Sequence, residues 1–377
     1  MGSRDIIAAG GRAGGSMTAA PTAQGLHACL AGAEYILPLR WNEDSALSEL
    51  SDYLRRLADW IPVSVVDGSA PDLFERHRAA FPTAVRHLRP DPDGSPQHAG
   101  DGGGARNGKV AGVMTGVRAS SAEFLVIADD DVRYTREALA AVVHHLGSAH
   151  VVRPQNYFDP RPWHARWDTA RTLLNRAWST DYPGTMGVRR SALLATGGYA
   201  GVLFENLELI RTIRAAGGTE RILPGLFVAR RPPTARHFLR QRIRQAYDDF
   251  AQPRRLAAEL ILLPAATGAA LLPARARRTA LLVLAGAAIA GAEIGRRRHN
   301  GTAVFPASAA WFAPLWALER AVCVWLAAAF RVAGGIPYAG SRIRTAAHSE
   351  AELRRRHAGK LRRAPGNQEA TMKAVQG

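Results

Sequence analysis

The sequence predicts an α/β fold: a mostly parallel sheet flanked by helices and followed by C-terminal membrane-associated helices. Two observations predict the sheet. Short, continuously apolar segments alternate with segments of helical periodicity, and acidic residues directly follow two of the apolar segments. Strands that are apolar on both faces are typical of parallel sheets covered by helices on each side. The third observation is a set of long apolar runs bordered by arginines after residue 250, which predicts the membrane-associated part.

The alternation of strands and helices is clearest in the first 150 residues. Apolar runs predict buried strands at residues 35–39, 62–66, 85–88 and 124–128. Helical periodicity predicts helices at residues 45–60, 71–81, 108–119 and 137–146. The Gly-, Asp- and Pro-rich residues 91–107 predict a loop. Ligands bind beyond the carboxyl ends of the strands in such sheets, so acidic residues at those ends are candidates for a site.

The pattern changes after residue 150 but still predicts strands and helices. Strands are expected at residues 150–153, 184–190 and 221–228, and helices at residues 163–178 and 204–215. Residues 237–250 predict an amphipathic helix with aromatic residues on one side and arginines on another.

Three apolar runs follow, at residues 256–272, 279–294 and 303–330. The first two are at the short limit for crossing a bilayer core of about 30 Å. Arginine clusters flank every run, so the positive-inside rule cannot hold for all the loops if every run spans. Some runs are therefore expected to be re-entrant or interfacial, and Pro264 favours a re-entrant hairpin in the first. The alternative is a buried helical core of a soluble domain.

The charge distribution separates the two parts of the chain. Residues 1–230 carry 25 basic and 24 acidic side chains, whereas residues 231–377 carry 24 basic and 8 acidic ones. Such a basic end indicates an anionic partner. The arginines alternate with long apolar runs, which favours a membrane and argues against nucleic acid. Cys29 and Cys323 provide neither a disulfide framework nor metal-ligand spacing, which fits a reducing compartment.

Three consecutive acidic residues, Asp129, Asp130 and Asp131, follow the strand at 124–128. Like charges at close range repel unless a cation lies between them. Mg²⁺ or Mn²⁺ would supply that cation, because hard cations take carboxylate oxygens together with substrate phosphates. The alternative is an exposed, Asp-rich turn between a strand and a helix.

Several segments together carry a resemblance to a known family. They are Val65-Val66-Asp67-Gly68-Ser69, Asn107-Gly108-Lys109, Ala128-Asp129-Asp130-Asp131, and Gly184-Thr185-Met186 with the later Gly197-Gly198-Tyr199. In these segments the chain resembles, over residues 33–250, a family 2 inverting glycosyltransferase with the GT-A fold. The resemblance is to the processive-synthase and ceramide-glucosyltransferase type.

The resemblance implies roles for individual residues. Asp67 would contact the nucleobase, and Lys109 would approach the donor. Asp129 and Asp130 would contact the donor, and the metal ligands would be Asp129 and Asp131. The third segment resembles the DxD motif, and the last one the lining of the acceptor site.

Two departures from the family pattern affect these roles. The family's general base is an Asp, but Asn206 stands at that position and cannot accept a proton at neutral pH. Glu205 is the expected substitute, with Glu208 one helical turn on; the alternative is that Glu205 only charges the start of a helix. The QxxRW motif retains Gln241 and Arg244 but lacks its Trp, which argues against a processive polysaccharide synthase. Arg244 is expected to contact the diphosphate or the acceptor.

These observations predict five regions in chain order: a disordered segment (1–30), a GT-A domain (31–233), an amphipathic interface helix (234–253), apolar membrane-associated helices (254–336) and a basic tail (337–377). The expected reaction is inverting transfer of a sugar from a nucleoside-diphosphate sugar, with a UDP-sugar favoured. The expected acceptor is a hydroxyl on a lipid or lipid-linked saccharide, at the cytoplasmic face of the cell membrane. The alternative is an inactive GT-A domain that binds nucleotide sugars or acts as a membrane-bound scaffold.

Overall fold

A single mixed sheet organises the first two-thirds of the chain. The computed structural model describes residues 23–91, 108–338 and 341–363. Up to residue 230 the elements are, in chain order, α1 (Ala23–Leu30), β1 (Ala33–Leu39), α2 (Leu47–Ala58), β2 (Val63–Asp67), α3 (Pro71–Ala80), β3 (Val85–Leu88), α4 (Gly108–Ala119), β4 (Phe124–Ala128), β5 (Val132–Arg133), α5 (Arg136–Leu146), β6 (Val151–Phe158), α6 (Trp163–Trp178), β7 (Thr185–Arg189), α7 (Arg190–Ala195), α8 (Glu205–Ala215) and β8 (Glu220–Arg230).

The sheet has eight strands in the order β3-β2-β1-β4-β7-β6-β8-β5. Strands β3, β2, β1 and β4 run parallel to one another. Strand β7 is antiparallel to both β4 and β6, β6 is parallel to β8, and β8 is antiparallel to β5. The predicted α/β class with a large sheet between helices and apolar helices after it is confirmed. The continuously apolar strands of the first 130 residues are the ones that form the parallel half, as expected for strands buried on both faces.

Helices cover both faces of the sheet. On one face, α2 and α5 pack on the sheet through fully buried leucines and valines such as Leu54 and Val142. On the other face, α4, α7 and α8 contribute side chains such as Val113, Leu193 and Ile210. Helix α4 approaches β1 closely because it has glycine at position 116, where a β-carbon would stand 2.6 Å from the side chain of Ile36.

Two details differ from the sequence predictions. Ala23–Leu30 forms α1 and packs against α5, although residues 1–30 were expected to be disordered; residues 1–22 lie outside the described residues. Strand β6 extends to Phe158, through a register irregularity between Arg153 and Gln155 that surrounds Pro154. Because a proline has no N–H to donate to the neighbouring strand, the sequence predicted that the strand ends near Pro154, whereas it continues past it.

Beyond the sheet the chain is mostly helical. The remaining elements are α9 (Ala235–Arg240), α10 (Arg242–Asp248), a 3₁₀ turn (Asp249–Ala251), α11 (Pro253–Ala270), α12 (Ala274–Arg297), a second 3₁₀ segment (Arg298–Ala303), α13 (Ala307–Ala310), α14 (Ala313–Val332), β9 (Ile336–Tyr338), β10 (Ser341–Ile343) and α15 (Glu350–Arg363).

The predicted interface helix and hairpin are built differently. Residues 237–250 are not one helix, because α9 and α10 meet at Gln241. Helix α11 continues through Pro264, so the predicted re-entrant break at that proline is wrong; the chain reverses after α11, at residues 271–273. Part of the region assigned to a basic tail is folded, since β9 and β10 pair and α15 packs on α8, while residues 364–377 lie outside the described residues.

The C-terminal helices expose much apolar surface. Two segments of the described chain, of 30 and 26 residues, are long and apolar enough to cross a membrane: Ala274–Ala303 and Ala307–Val332. The large apolar side chains exposed on α11 to α14 and the connections between them are Ile261, Leu271, Leu272, Leu281, Leu282, Val283, Leu284, Ile294, Trp311, Leu315, Leu318, Val322, Trp325, Leu326 and Val332. So many exposed apolar side chains on neighbouring helices are typical of a membrane or protein contact.

Buried ion pairs join these helices to each other and to the sheet domain. Arg242 of α10 contacts Asp168 of α6 at 3.2 Å. Asp249 forms ion pairs with Arg320 of α14 at 2.9 Å and with Arg255 of α11 at 3.0 Å. Buried charges are stable only when paired, so this ionic cluster fixes how the apolar helices sit against the sheet domain.

Candidate active site

One large pocket lies beyond the carboxyl ends of β1, β2 and β4. Its volume is about 720 Å³. The residues that border it include Arg40, Asn42, Gly68, Lys109, Asp129, Asp130, Asp131, Glu205, Asn206, Arg230, His237, Gln241, Arg244, Gln245 and Asp248. Most of the residues singled out from the sequence, which are far apart along the chain, are therefore brought together by the topology of the sheet.

Four carboxylates lie near the end of β4 together with two cations. The four are those of Asp129, Asp130, Asp131 and Glu205, here called the acidic group. Lys109, in the first turn of α4, places its Nζ 2.5 Å from Asp129 Oδ1 and 2.5 Å from Glu205 Oε1. Burial alone would lower the pKa of Lys109, but the carboxylates of Asp129 and Glu205 raise it well above its ordinary value. Lys109 is therefore a permanent cation that links β4 to the start of α8. Its sequence neighbour Asn107 lies outside the described residues.

The backbone of β7 makes room for the Asp129 carboxylate. A β-carbon on Gly184 would stand only 2.6 Å from Asp129 Oδ2. The Asp129 N–H also donates to the Gly184 carbonyl at 2.8 Å. Gly184, which was expected to line an acceptor site, thus sets the position of an acidic side chain of the pocket.

Asp131 has one occupied and one open oxygen. Its Oδ2 accepts a hydrogen bond from Arg230 Nε at 2.6 Å, whereas its buried Oδ1 has no hydrogen-bond partner among the residues that the structure describes. Burial raises the pKa of Asp131 to about 6, with Arg230 opposing the shift and Asp129 adding to it. An unpartnered buried carboxylate oxygen needs a ligand, because leaving such a group unsatisfied is costly.

The charges around the end of β4 fit a divalent cation. The acidic side chains are Asp129, Asp130, Asp131 and Glu205, and the cations in contact with them are Lys109 and Arg230. Four carboxylates against two cations leave an excess of two negative charges. Within residues 23–91, 108–338 and 341–363, no three His, Cys, Asp or Glu side chains are arranged as a complete metal site. Mg²⁺ commonly uses one or two protein carboxylates and takes its other ligands from water and substrate phosphates, so these residues fit such an ion.

The side chain of Asp130 contacts the loop that follows β1, whereas Asp129 and Asp131 contact Lys109 and Arg230. Its Oδ2 accepts a hydrogen bond from Trp41 Nε1. The contact ties the loop after β4 to the loop after β1, and both loops border the pocket.

The two candidate bases have different surroundings. Glu205 is the first residue of α8, and its carboxylate reaches the pocket and Lys109. Glu208 is fully buried on another side of the helix, where its oxygens accept from the backbone N–H of His348 at 2.8 Å and from His348 Nδ1 at 2.7 Å. Asn206 borders the pocket and donates to the Pro183 carbonyl at 3.2 Å. Glu208 therefore holds the C-terminal segment, and only Glu205 of the two faces the site.

Asp67 lies beneath the pocket rather than on its wall. The side chain is fully buried, and its Oδ1 accepts from the Ser69 N–H at 2.9 Å. Its Oδ2 contacts His77 Nδ1 at 2.6 Å and His87 Nε2 at 3.1 Å. Burial would raise the pKa of Asp67, but these hydrogen bonds lower it well below its ordinary value. Asp67 is thus an ionised carboxylate already satisfied by the protein.

The remaining predicted residues stand where α9 meets α10. Gln241 contacts His237 through its side-chain nitrogen, and Arg244 lies over the ring of Tyr338 at 5.1 Å. Both border the pocket, together with Asp248. Arg230, His237 and Asp248 are pocket residues that the sequence analysis did not select. The Arg230-Arg231 pair at the end of a strand was the available signal for the first of them.

The segment of residues 344–348, here called the C-terminal strap, holds the loop that leads into α8. The Thr345 and Ala346 carbonyls accept from the N–H groups of Leu203 and Phe204 at 3.2 and 2.8 Å. The Arg344 carbonyl accepts from Tyr247 Oη at 2.8 Å. The strap therefore fixes the backbone directly before Glu205.

We expect His348→Ala to lower the free energy of unfolding by about 1–3 kcal/mol, because a buried carboxylate loses a hydrogen bond. His348→Asn should recover most of the loss, since its amide can donate in place of Nδ1. Thermal unfolding of the purified protein measures both. His357→Ala, in α15, is the matched control and should be neutral. Equal melting temperatures for the His348→Ala variant and the parent would contradict the role given to the strap.

A pH dependence is expected from Asp248. Burial raises the pKa of Asp248 to about 7. Arg244 and Arg320 oppose this shift, and the charges of Asp249 and Glu205 add to it. Because the folded-state pKa is raised, the stabilising contribution is complete below about pH 4 and is lost as the pH rises through 7. As the pH rises from 5 to 8, the free energy of unfolding of Asp248→Asn should therefore increase by about 1–3 kcal/mol relative to that of the parent. Melting curves at the two pH values test this, and a constant difference between the proteins would exclude it.

No protein-family model matches the chain. No curated protein matches it either. Among solved structures, it is similar to the mannosyltransferase PcManGT from Pyrobaculum calidifontis, solved with GDP-Man and Mn²⁺, with 20% identity, 91% of this chain and 84% of that chain covered, and a TM-score of 0.41. It is also similar to glucosyl-3-phosphoglycerate synthase from Mycobacterium tuberculosis, solved with phosphoglyceric acid, with 19% identity, coverages of 58% and 81%, and a TM-score of 0.40. The assignment of a function therefore rests on this chain's own residues.

Proposed function

We propose that the protein is a metal-dependent inverting glycosyltransferase of the GT-A type, in family 2, that uses a nucleoside-diphosphate sugar. One observation carries the proposal. The Oδ1 of Asp131, which has no hydrogen-bond partner among the described residues, lies after the end of β4, among carboxylates that contact Lys109 and Arg230. Carboxylates with a net negative charge bind a divalent cation, and the neighbouring cations attract phosphate. The parallel order β3-β2-β1-β4 and the motifs of the sequence support the same assignment.

Each residue of the acidic group has a distinct task in this proposal. Asp131 and Asp129 would hold Mg²⁺ or Mn²⁺, which offsets the negative charge that develops on the departing diphosphate. Lys109 and Arg230 keep these carboxylates oriented and add positive charge beside the diphosphate. Gln241, between α9 and α10, and Arg244 of α10 border the same pocket, and a guanidinium suits contact with phosphate oxygens.

Glu205 takes the proton of the acceptor hydroxyl. As the acceptor oxygen forms its bond to the anomeric carbon, the bond from that carbon to the phosphate oxygen breaks. The proton passes to Glu205, and the nucleoside diphosphate leaves with the electron pair. A general base must lie within hydrogen-bond reach of the hydroxyl, and Glu205 is the acidic residue of α8 that borders the pocket. Its contact with Lys109 places it beside the donor.

The acceptor is proposed to be a lipid or a lipid-linked saccharide at the cytoplasmic face of the membrane. The apolar surface of α11 to α14 and the exposed Arg275, Arg277 and Arg278 at the start of α12 support contact with an anionic bilayer. Because α10 borders the pocket and packs on α14, the site lies close to that surface.

An inactive nucleotide-sugar-binding protein is the second candidate. The observation in its favour is Asn206, whose amide donates to a backbone carbonyl where the family has its catalytic Asp. Both candidates require binding of a nucleoside diphosphate. Only the enzyme requires turnover.

Turnover of a donor panel tests the proposal. The protein would be incubated with Mn²⁺, vesicles of extracted membrane lipid, and UDP-glucose, UDP-galactose, GDP-mannose or dTDP-glucose. We expect release of nucleoside diphosphate from one donor, dependent on the lipid and lost in Asp131→Asn. Metal-dependent nucleotide binding without turnover of any donor would favour the second candidate. A folded protein with neither property would overturn both.

A further inference from the structure

If the diphosphate of the donor lies at the acidic group that follows β4, its nucleobase lies across the ends of the neighbouring strands β1 and β2. The wall of the pocket there is built of small and apolar residues: Pro38, Val66, Gly68, Pro90 and Ala111. Gly68 lies against Pro90, since a β-carbon there would stand 3.3 Å from the proline ring. A flat ring can rest on such a wall, and the polar side chains beside the wall decide which ring binds.

Asp67 does not line the pocket, so we do not assign recognition of the base to it. It is fully buried, and both of its oxygens are held by Ser69, His77 and His87. His77 in turn packs edge-on against Trp41, with ring centroids 5.4 Å apart. A carboxylate whose oxygens already accept hydrogen bonds gains little from an N–H group of a base. The base would also have to pass through the wall of the pocket to reach Asp67.

The loop after β1 supplies other polar groups. Trp41 is held from two sides, because its backbone N–H donates to Ser69 Oγ at 2.9 Å and its ring nitrogen donates to Asp130. Its neighbours Arg40 and Asn42 are exposed and border the pocket. In the part of the chain that the structure describes, Arg40 has no carboxylate partner, and its Nη1 lies over the start of α4, near Gly108.

A guanidinium in this place favours one type of base. It has only donors, arranged as a planar fork, and the fork matches the adjacent O6 and N7 acceptors of guanine. Uracil offers isolated carbonyl oxygens, and adenine has a donor next to N7, so neither can engage both arms of the fork. We infer that Arg40 makes the site selective for guanosine diphosphate, so that the donor is a GDP-sugar. This inference rests on the proposed function and replaces the expectation of a UDP-sugar.

Calorimetric binding of GDP, IDP, UDP and ADP in the presence of Mn²⁺ tests the inference. Inosine retains O6 and N7 but lacks the 2-amino group, so IDP should bind within about threefold of GDP. UDP and ADP should bind at least about tenfold more weakly, the discrimination expected of a bidentate contact. Arg40→Ala should reduce the preference for GDP over UDP to about threefold or less. Arg55→Ala, which removes an exposed and ion-paired arginine of α2, is the matched control and should change no affinity.

The other outcomes separate the two claims. Binding of UDP as tight as that of GDP would overturn the inference and leave the proposed function intact. An equal loss of affinity for all four nucleotides in Arg40→Ala would show that Arg40 contacts the phosphates, which also overturns it. Absence of binding by every nucleotide to a folded protein would overturn the proposed function and the inference with it.

Discussion

Glu205→Gln is expected to reduce sugar transfer by about 10²–10⁴-fold, the range for loss of a general base, while nucleotide affinity changes by less than about threefold. Glutamine retains the size of the side chain and an oxygen that can accept from Lys109, but it cannot take the proton of the acceptor hydroxyl. The measurement is release of nucleoside diphosphate in the presence of lipid vesicles, alongside calorimetric binding of the same nucleotide.

Glu208→Gln is the matched control for this experiment. It makes the same change one helical turn away, on a side chain that contacts His348 rather than the pocket. Its activity should fall only as far as its stability does. If Glu205→Gln retained full activity, Glu205 would not be the base. Equal losses in the two variants would mean that α8 is perturbed as a whole.

The second large effect is expected on stability. Arg320→Leu should lower the free energy of unfolding by about 3–5 kcal/mol, because removal of one partner leaves uncompensated buried charge. Arg320 is fully buried in α14, where its Nη1 lies 2.9 Å from Asp249 Oδ2 and 3.8 Å from Glu259 Oε2. Thermal unfolding in detergent measures the loss.

Arg354→Leu makes the same change at an exposed ion pair of α15 and should alter stability by less than about 1 kcal/mol. Equal melting temperatures for the Arg320→Leu variant and the parent would contradict the structural role of the ionic cluster. Because α14 meets α10 beside the pocket, the unstable variant should also bind nucleotide less tightly at elevated temperature.

The sheet and the acidic group were the most predictable parts of the molecule. Strand β4 is a continuous apolar run that ends in three acidic residues, so both its burial and its polar end can be read locally. Lys109 was selected by the resemblance of its segment to a family motif, and it stands in the first turn of α4. Local patterns suffice here because the carboxyl ends of parallel strands converge at one edge of the sheet.

Other features depend on contacts between distant segments and could not be predicted. Nothing in the neighbourhood of Asp67 shows that His77 and His87 hold its carboxylate. Glu208 looked like an alternative base because it stands one helical turn from Glu205, yet a strap 140 residues later in the chain covers it. The break between α9 and α10 at Gln241 is likewise set by packing, since the amphipathic pattern continues across it.

Metal-dependent binding of a nucleoside diphosphate is the property that the proposed glycosyltransferase cannot lack. Calorimetry would compare GDP and UDP, with Mn²⁺ and with EDTA, for the parent protein and for Asp131→Asn. We expect at least one nucleotide to bind with Mn²⁺, EDTA to weaken this binding by at least about tenfold, and Asp131→Asn to have the same effect as EDTA. Binding that is equally tight with EDTA and in Asp131→Asn, or no binding by a folded protein, would contradict it.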